Sequence, residues 1–303
     1  LTQLATLFLN NLGPILLVSA AGFLVSKWLK LNPRTLSQLI FYIFSPCLVF
    51  NLLATSELNG QEIVRTISFA ALMMLILGLL AWGLGRVLRL ERRLLAAVLI
   101  AVLFMNAGNY GLPLTQFAFG ETALAHASLF FVCTSLLTNS LGIVIASSGS
   151  LGLLASIKGL LRFPAIYALA LGLIFNRTGW ELPIPIDRSV DLMAGAAIPA
   201  MLILLGMQFT NMHWDGQPRA LALVTGLRLV VAPLLALVLA GWMGVQGSAH
   251  QALVLESSMP TAVLTTVLAT EFDIYPTFIT TTVFLTTLLS PLTLTPLLAY
   301  LGA

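Results

Sequence analysis

Asn106-Ala107-Gly108-Asn109-Tyr110-Gly111-Leu112-Pro113 stands in the middle of an otherwise apolar segment. Leu94 to Met105 reads as membrane helix, and so does much of the chain beyond Pro113. Two amides, two glycines and a proline between them are expected to interrupt the helix, with Pro113 as the breaker. In hydrocarbon, an interrupted helix leaves N–H and C=O groups without partners. That is tolerated only where the backbone is buried in protein or lines a wet cavity. An unwound mid-membrane segment carrying Asn106 and Asn109 is therefore a candidate binding site. The competing reading is a packing face, with Gly108 and Gly111 letting a neighbouring helix approach closely.

The composition fits that setting. Of 303 residues, 59% are hydrophobic and 8% charged, and the mean hydropathy is +1.01. So few charges cannot clothe a soluble domain of this size. The fold class is an all-α polytopic membrane protein. The net charge of +3 is explained by where the charges fall, so no nucleic-acid partner is expected. Cys47 and Cys133 both lie in apolar runs and read as buried free thiols. The first apolar segment is full length and lacks a basic leader, so a retained span and not a cleavable signal is expected.

Ten segments satisfy the roughly 20-residue requirement for a span: 5–26, 36–54, 65–88, 94–116, 122–147, 153–176, 189–210, 219–243, 249–269 and 276–301. Basic residues orient them. Lys27, Lys30, Arg34, Arg86, Arg89, Arg92, Arg93, Lys158, Arg162 and Arg219 fall in or beside odd-numbered loops. Only Arg65, Arg177 and Arg188 fall in even ones. Positive charge marks the cytoplasmic side, so both termini are expected on the extracytoplasmic side.

The chain also repeats. Pro14 and Gly22 are matched by Pro164 and Gly172, Pro46 by Pro199, and Pro113 by Pro260, at offsets of 150, 153 and 147 residues. Five spans per repeat is an odd number, so the halves must enter the membrane in opposite directions. The expected architecture is two inverted five-helix repeats, residues 1–150 and 151–303, with broken helices crossing in the fourth and ninth spans. Inverted repeats with matched breaks are the pattern of secondary transporters.

The second break is Glu256-Ser257-Ser258-Met259-Pro260-Thr261. Glu256 alone among the acids lies well inside a span, where a carboxylate costs on the order of 2–3 kcal/mol even on the lenient insertion scale. It reads either as shallow and snorkelling, or as a ligand for Na+ or a proton carrier beside Ser257, Ser258 and Met259. In the fifth span Thr134, Ser135, Thr138 and Asn139 form a polar stripe, which either bonds helices together or lines the site. Thr134 and Thr138 are assigned to the cation-binding set. Asn139 and Asn51, the latter in the second span, join Asn106, Asn109, Gly108, Gly111, Pro113 and Pro260 in the substrate-binding set. Amide side chains donate and accept, and free N–H groups opening the second half-helix would favour an anion. Arg228 is read as snorkelling towards the cytoplasm or paired structurally. No metal spacing, phosphate loop or nucleophile–base arrangement is present, so no enzyme is expected, and no cofactor beyond Na+ as a coupling ion.

The motifs carry a resemblance. Gly13-Pro14-Ile15-Leu16-Leu17 with Gly22-Phe23-Leu24, Phe41-Tyr42-Ile43 with Ser45-Pro46, Asn106 with Gly111-Leu112-Pro113-Leu114, and Met259-Pro260 with Val267-Leu268-Ala269-Thr270-Glu271-Phe272 resemble the auxin efflux carrier family over nearly the whole chain. The resemblance implies a ten-helix fold related to the bile acid–sodium symporters. It also implies a scaffold of spans 1, 2, 6 and 7 and a transport domain of spans 3–5 and 8–10. By the same analogy Asn106 would read a substrate carboxylate, and Glu256 to Met259 would resemble a sodium-site segment that plant-type carriers lack. A small organic anion carrier in a bacterial inner membrane, with a homodimer expected by analogy alone, is the resulting reading. A sodium/proton antiporter would want acids in the fifth span, and none stands between Thr122 and Ser147. A ligand sensor would have no need of two matched breaks.

Overall fold

The computed structural model describes residues 2–56, 58–142, 145, 164–210 and 217–303. All secondary structure among them is helical. Among the described residues seven helices are long and apolar enough to cross a membrane: α1 (Leu4–Leu29), α2 (Pro33–Ala54), α3 (Gly60–Val87), α5 (Ala107–Leu137), α7 (Ile184–Met207), α8 (Pro218–Trp242) and α11 (Pro276–Leu301). Four shorter helices lie between them: α4 (Arg92–Leu103), α6 (Pro164–Thr178), α9 (Gly247–Ser257) and α10 (Leu264–Glu271). The N-terminal part of the expected sixth span lies outside the described residues. Large apolar side chains such as Leu17, Trp28, Leu192 and Leu292 face outward, as a lipid-facing surface requires.

Local sequence fixes the ends of the helices. Asn59 and Glu62 form a reciprocal capping box at the start of α3, each side chain accepting from the other's backbone N–H at 2.9 Å. Asn32 caps α2 through the Arg34 N–H. Apart from Pro260, prolines inside the described apolar runs do not break them. A widened π turn precedes each of four: Phe8–Leu12 before Pro14, Ile40–Phe44 before Pro46, Ala107–Gly111 before Pro113 and Leu227–Val231 before Pro233. In each, the residue before proline bonds to the carbonyl five residues back, as Leu112 does to Ala107. A proline ring collides with the carbonyl four residues back, and the extra residue in the turn carries that carbonyl aside.

This corrects the sequence reading of Pro113. The proline sits inside α5 behind its wide turn, and the non-helical break is upstream, at Phe104 to Asn106. The second break matches expectation, with Met259 and Pro260 between α9 and α10. A further break falls at Gly120 in α5, whose φ of 75° and ψ of −166° suit glycine alone. It divides the second half of the expected fourth span from the fifth.

Two reciprocal close approaches organise the packing. In α1, Gly22 lies against the Ile203 backbone of α7, and Gly206 of α7 lies against the Ser19 carbonyl of α1. Ser19 Oγ bonds to the Leu202 carbonyl at 3.1 Å in the same contact. In α6, Gly172 lies against Phe50 and Leu53 of α2, while Asn176 Nδ2 reaches the Ala54 carbonyl at 3.2 Å. Small residues that let backbones meet are the usual means of helix association in lipid. Elsewhere α5 and α9 meet extensively, α3, α8 and α11 pack on α9, and α4 and α10 pack on α11.

Candidate functional site

The two breaks meet. Asn106 N–H donates to the Pro260 carbonyl and Ala262 N–H to the Phe104 carbonyl, each at 2.8 Å, so Met105 and Thr261 face each other antiparallel. Thr261 Oγ1 donates to the Ala101 carbonyl at 2.9 Å, and its N–H to Thr286 Oγ1 of α11 at 3.2 Å. The unwound segments thus satisfy one another in the interior, which is what permits them there.

On one side of this crossing, Asn106 to Asn109 border a cavity of about 120 Å³. Thr134 and Thr138 line it as well. Asn106 is buried, and its Nδ2 has no hydrogen-bond partner among the described residues. The Thr134 hydroxyl donates to the Phe130 carbonyl at 3.0 Å and the Thr138 hydroxyl to the Thr134 carbonyl at 2.8 Å. Their protons are therefore committed to their own helix. Donors offered to a ligand come from the Asn106 amide and the opening N–H groups of α5, a positive helix end. Gly108 has no room for a side chain, since a Cβ would approach the Phe131 ring to 2.8 Å. An acceptor-rich ligand of modest size, such as a carboxylate, matches that donor set.

Across the crossing lie Glu256 to Met259. Glu256 does not snorkel but is fully buried at the end of α9. Thr115 Oγ1 donates to its Oε1 at 3.1 Å, and the carboxylate abuts Gly111. Glu256 Oε2 and Ser257 Oγ have no partner among the described residues. Ser258 Oγ bonds back to the Val254 carbonyl at 2.7 Å. The Met259 carbonyl accepts from Arg228.

The anticipated site residues are therefore divided. Asn106, Gly108 and Asn109 come together with Thr134 and Thr138 at one cavity. Gly111 touches Glu256 on the other side. Asn51 is elsewhere: its Nδ2 donates to Asp191 Oδ1 at 3.0 Å, in a separate cavity of about 480 Å³ that also holds Glu121. Pro113 is buried in α5, and the side chain of Asn139 lies outside the described residues. Of the two readings of Arg228, the structure shows structural pairing. Far from snorkelling, it is buried completely and bonds to carbonyls of both broken segments. The available signal was its place inside an apolar span, shortly before Pro233.

A larger cavity of about 670 Å³, edged by Arg34, Gln208, Thr270 and Glu271, adjoins the crossing cavity at Ser37. The two breaks, the cavity beside them and the larger cavity next to it thus lie together. The chain matches the model of the membrane transport protein family over residues 7–298. It belongs to that family. Its similarity extends to an uncharacterized transporter of Methanothermobacter thermautotrophicus, 31% identical over 292 residues, covering 95% of this chain and 94% of the relative. A Rhizobium meliloti protein named "Putative malonate transporter" is 27% identical over 292 residues, covering 87% and 85%. An uncharacterized transporter of Methanocaldococcus jannaschii is 26% identical, covering 86% of each chain. The resemblance to auxin efflux carriers is borne out at family level, and this family member is a multi-pass membrane protein.

Proposed function

We propose that the protein is a secondary carrier of a small organic anion, working by alternating access at the crossing of two broken helices. The observation that carries this reading is the buried Asn106 amide, unpartnered on Nδ2 among the described residues and facing a cavity beside the start of α5. A buried donor without an acceptor costs about 1–3 kcal/mol, and a carboxylate seated in the cavity would remove that cost. Ten crossings in two inverted repeats suit the packing, because contacts of the first half are returned by the second. Gly22 of the first helix meets the seventh span, Gly172 of the sixth meets the second, and the fourth- and ninth-span breaks meet each other.

In this reading α1, α2, α6 and α7 form the scaffold, and the helices around α5 and α9 carry the site across it. Both termini face the extracytoplasmic side of the plasma membrane, and the cavity beside Arg34 opens to the cytoplasm. The malonate assignment of the Rhizobium relative makes short dicarboxylates the first ligands to try. A bound ligand raises the unfolding midpoint of the purified protein by mass action. Malonate or a related carboxylate should raise it, and Asn106→Ala should abolish the rise while leaving the unliganded midpoint at or above that of wild type. A carboxylate shift of wild-type size in Asn106→Ala would move the site elsewhere.

A further inference from the structure

We propose that the Arg228 guanidinium is the resident cation of the crossing, taking the role that a free inorganic ion would otherwise fill there. Two half-helices, α4 and α9, end at Leu103 and Ser257 in the protein interior. The last carbonyls of any helix lack partners within it, and that end carries the negative pole of the dipole. Two such ends converging away from water need a donor-rich, positively charged partner. Arg228 supplies it. Nη1 donates to the Val102 carbonyl of α4 at 3.3 Å, and Nη2 to the Ser257 carbonyl of α9 at 3.0 Å and to the Met259 carbonyl in the break. A guanidinium has five donors and no acceptor, so one side chain can hold three carbonyls from two separate segments.

The same bonds argue against a free cation. A hard ion such as Na+ takes several oxygen ligands at once, and the natural candidates are Glu256 and the carbonyls after it. The carbonyls of Ser257 and Met259 already accept from Arg228. The Glu256 carboxylate faces Thr115 and Gly111 instead, and among the described residues no ion pair joins it to Arg228. Thr134 and Thr138 stand at the cavity with Asn106. The local backbone fits a side chain with this task, because Arg228 belongs to the widened turn Leu227–Val231 that Pro233 imposes on α8. Wide turns of this kind recur at functional positions.

The crossing then has a polarity of its own: a tethered cation on its two helix C-termini and free N–H groups at the start of α5 for an anion. Resting on the carrier reading above, this makes Arg228 a positioning residue whose charge holds both broken segments in register for the ligand. Carboxylate binding should then need no inorganic cation.

The test uses the purified full-length protein, with malonate as ligand and Na+, K+ or N-methylglucamine as the sole bulk cation. In wild type the malonate-induced shift of the midpoint should be equal in all three. Arg228→Ala should lower the unliganded midpoint and weaken malonate binding by about tenfold or more, the scale of a lost charged hydrogen bond. Ethylguanidinium at millimolar concentration, which restores charge and donors, should return both. Ethylurea, matched in shape but neutral, should return neither. A wild-type shift that requires Na+, equal rescue by ethylurea, or an unaltered Arg228→Ala protein would each overturn the proposal. Should Arg228→Ala fail to fold, Arg228→Lys and Arg228→Gln decide: Lys is expected to retain cation-independent binding and Gln to lose it, and equal behaviour of the two refutes the role of charge. If no carboxylate shifts wild type, the carrier reading falls, while the ethylguanidinium effect on the unliganded midpoint still judges Arg228.

Discussion

The carboxylate of Glu256 occupies the space that a side chain at position 111 would need: a Cβ built on Gly111 stands on Glu256 Oε2. Glycine at 111 and glutamate at 256 are therefore one device, in which α5 is thinned so that α9 can bury an acid against it. Gly111→Ala should cost about 1–3 kcal/mol, the range for overpacking a close-packed interior. The same change in a Glu256→Ala background should cost much less. Unfolding midpoints of the two single variants and the double variant measure the coupling. Additive effects would mean that the two positions do not share the space.

Thr115 gives the Glu256 carboxylate its one hydrogen bond among the described residues, Oγ1 to Oε1 at 3.1 Å. Thr115→Val keeps the shape and deletes the donor, leaving a buried carboxylate with less support. A loss of about 1–3 kcal/mol is expected, the usual cost of stranding a buried polar group. Thr115→Ser should keep most of the stability. Equal midpoints for the Val and Ser variants would show that the bond contributes nothing.

Much of this was legible in the sequence because lipid leaves few options. Asn106 and Pro260 stand out because polar or helix-breaking residues in apolar runs must be answered by other polar groups, and here the two breaks answer each other. Pro113 misled for the opposite reason. A proline can be absorbed by one extra residue in the preceding turn, and nothing in its own neighbourhood tells whether that happens. Asn51 and Asn139 could not be assigned from span membership, since which face of a helix meets the crossing depends on packing by other helices. Arg228 stayed undecided between snorkelling and pairing because its burial depends on where α4 and α9 end. Those ends are set by long-range contacts such as Asn106 N–H to the Pro260 carbonyl.

The α1–α7 contact offers a test inside a single helix. A Cβ at Gly206 would meet the Ser19 carbonyl, which is backbone and cannot rotate away. At Gly195 on the same helix no atom lies within 4 Å of the added carbon. Gly206→Ala should therefore cost about 3 kcal/mol. Gly195→Ala should be neutral or gain up to about 1 kcal/mol from reduced backbone freedom in the unfolded chain. Equivalent midpoints for the two variants would refute the close approach of α1 and α7.

Arg34 stands exposed at the rim of the 670 Å³ cavity that leads towards Asn106, with Glu271 across it. A cation at the mouth of a low-dielectric cleft raises the local concentration of anions and so their entry rate. Arg34→Glu reverses that sign without touching the crossing. Initial malonate uptake into inside-out vesicles should slow by about threefold to tenfold at low ionic strength. The difference should vanish near 1 M salt, where the Debye length falls to about 3 Å. Right-side-out vesicles should show little change in initial uptake, because entry there uses the opposite cavity, which holds Asp191 and Glu121. A slowing confined to right-side-out vesicles would invert the proposed orientation, and one that persists at high salt would assign Arg34 a direct contact instead of steering.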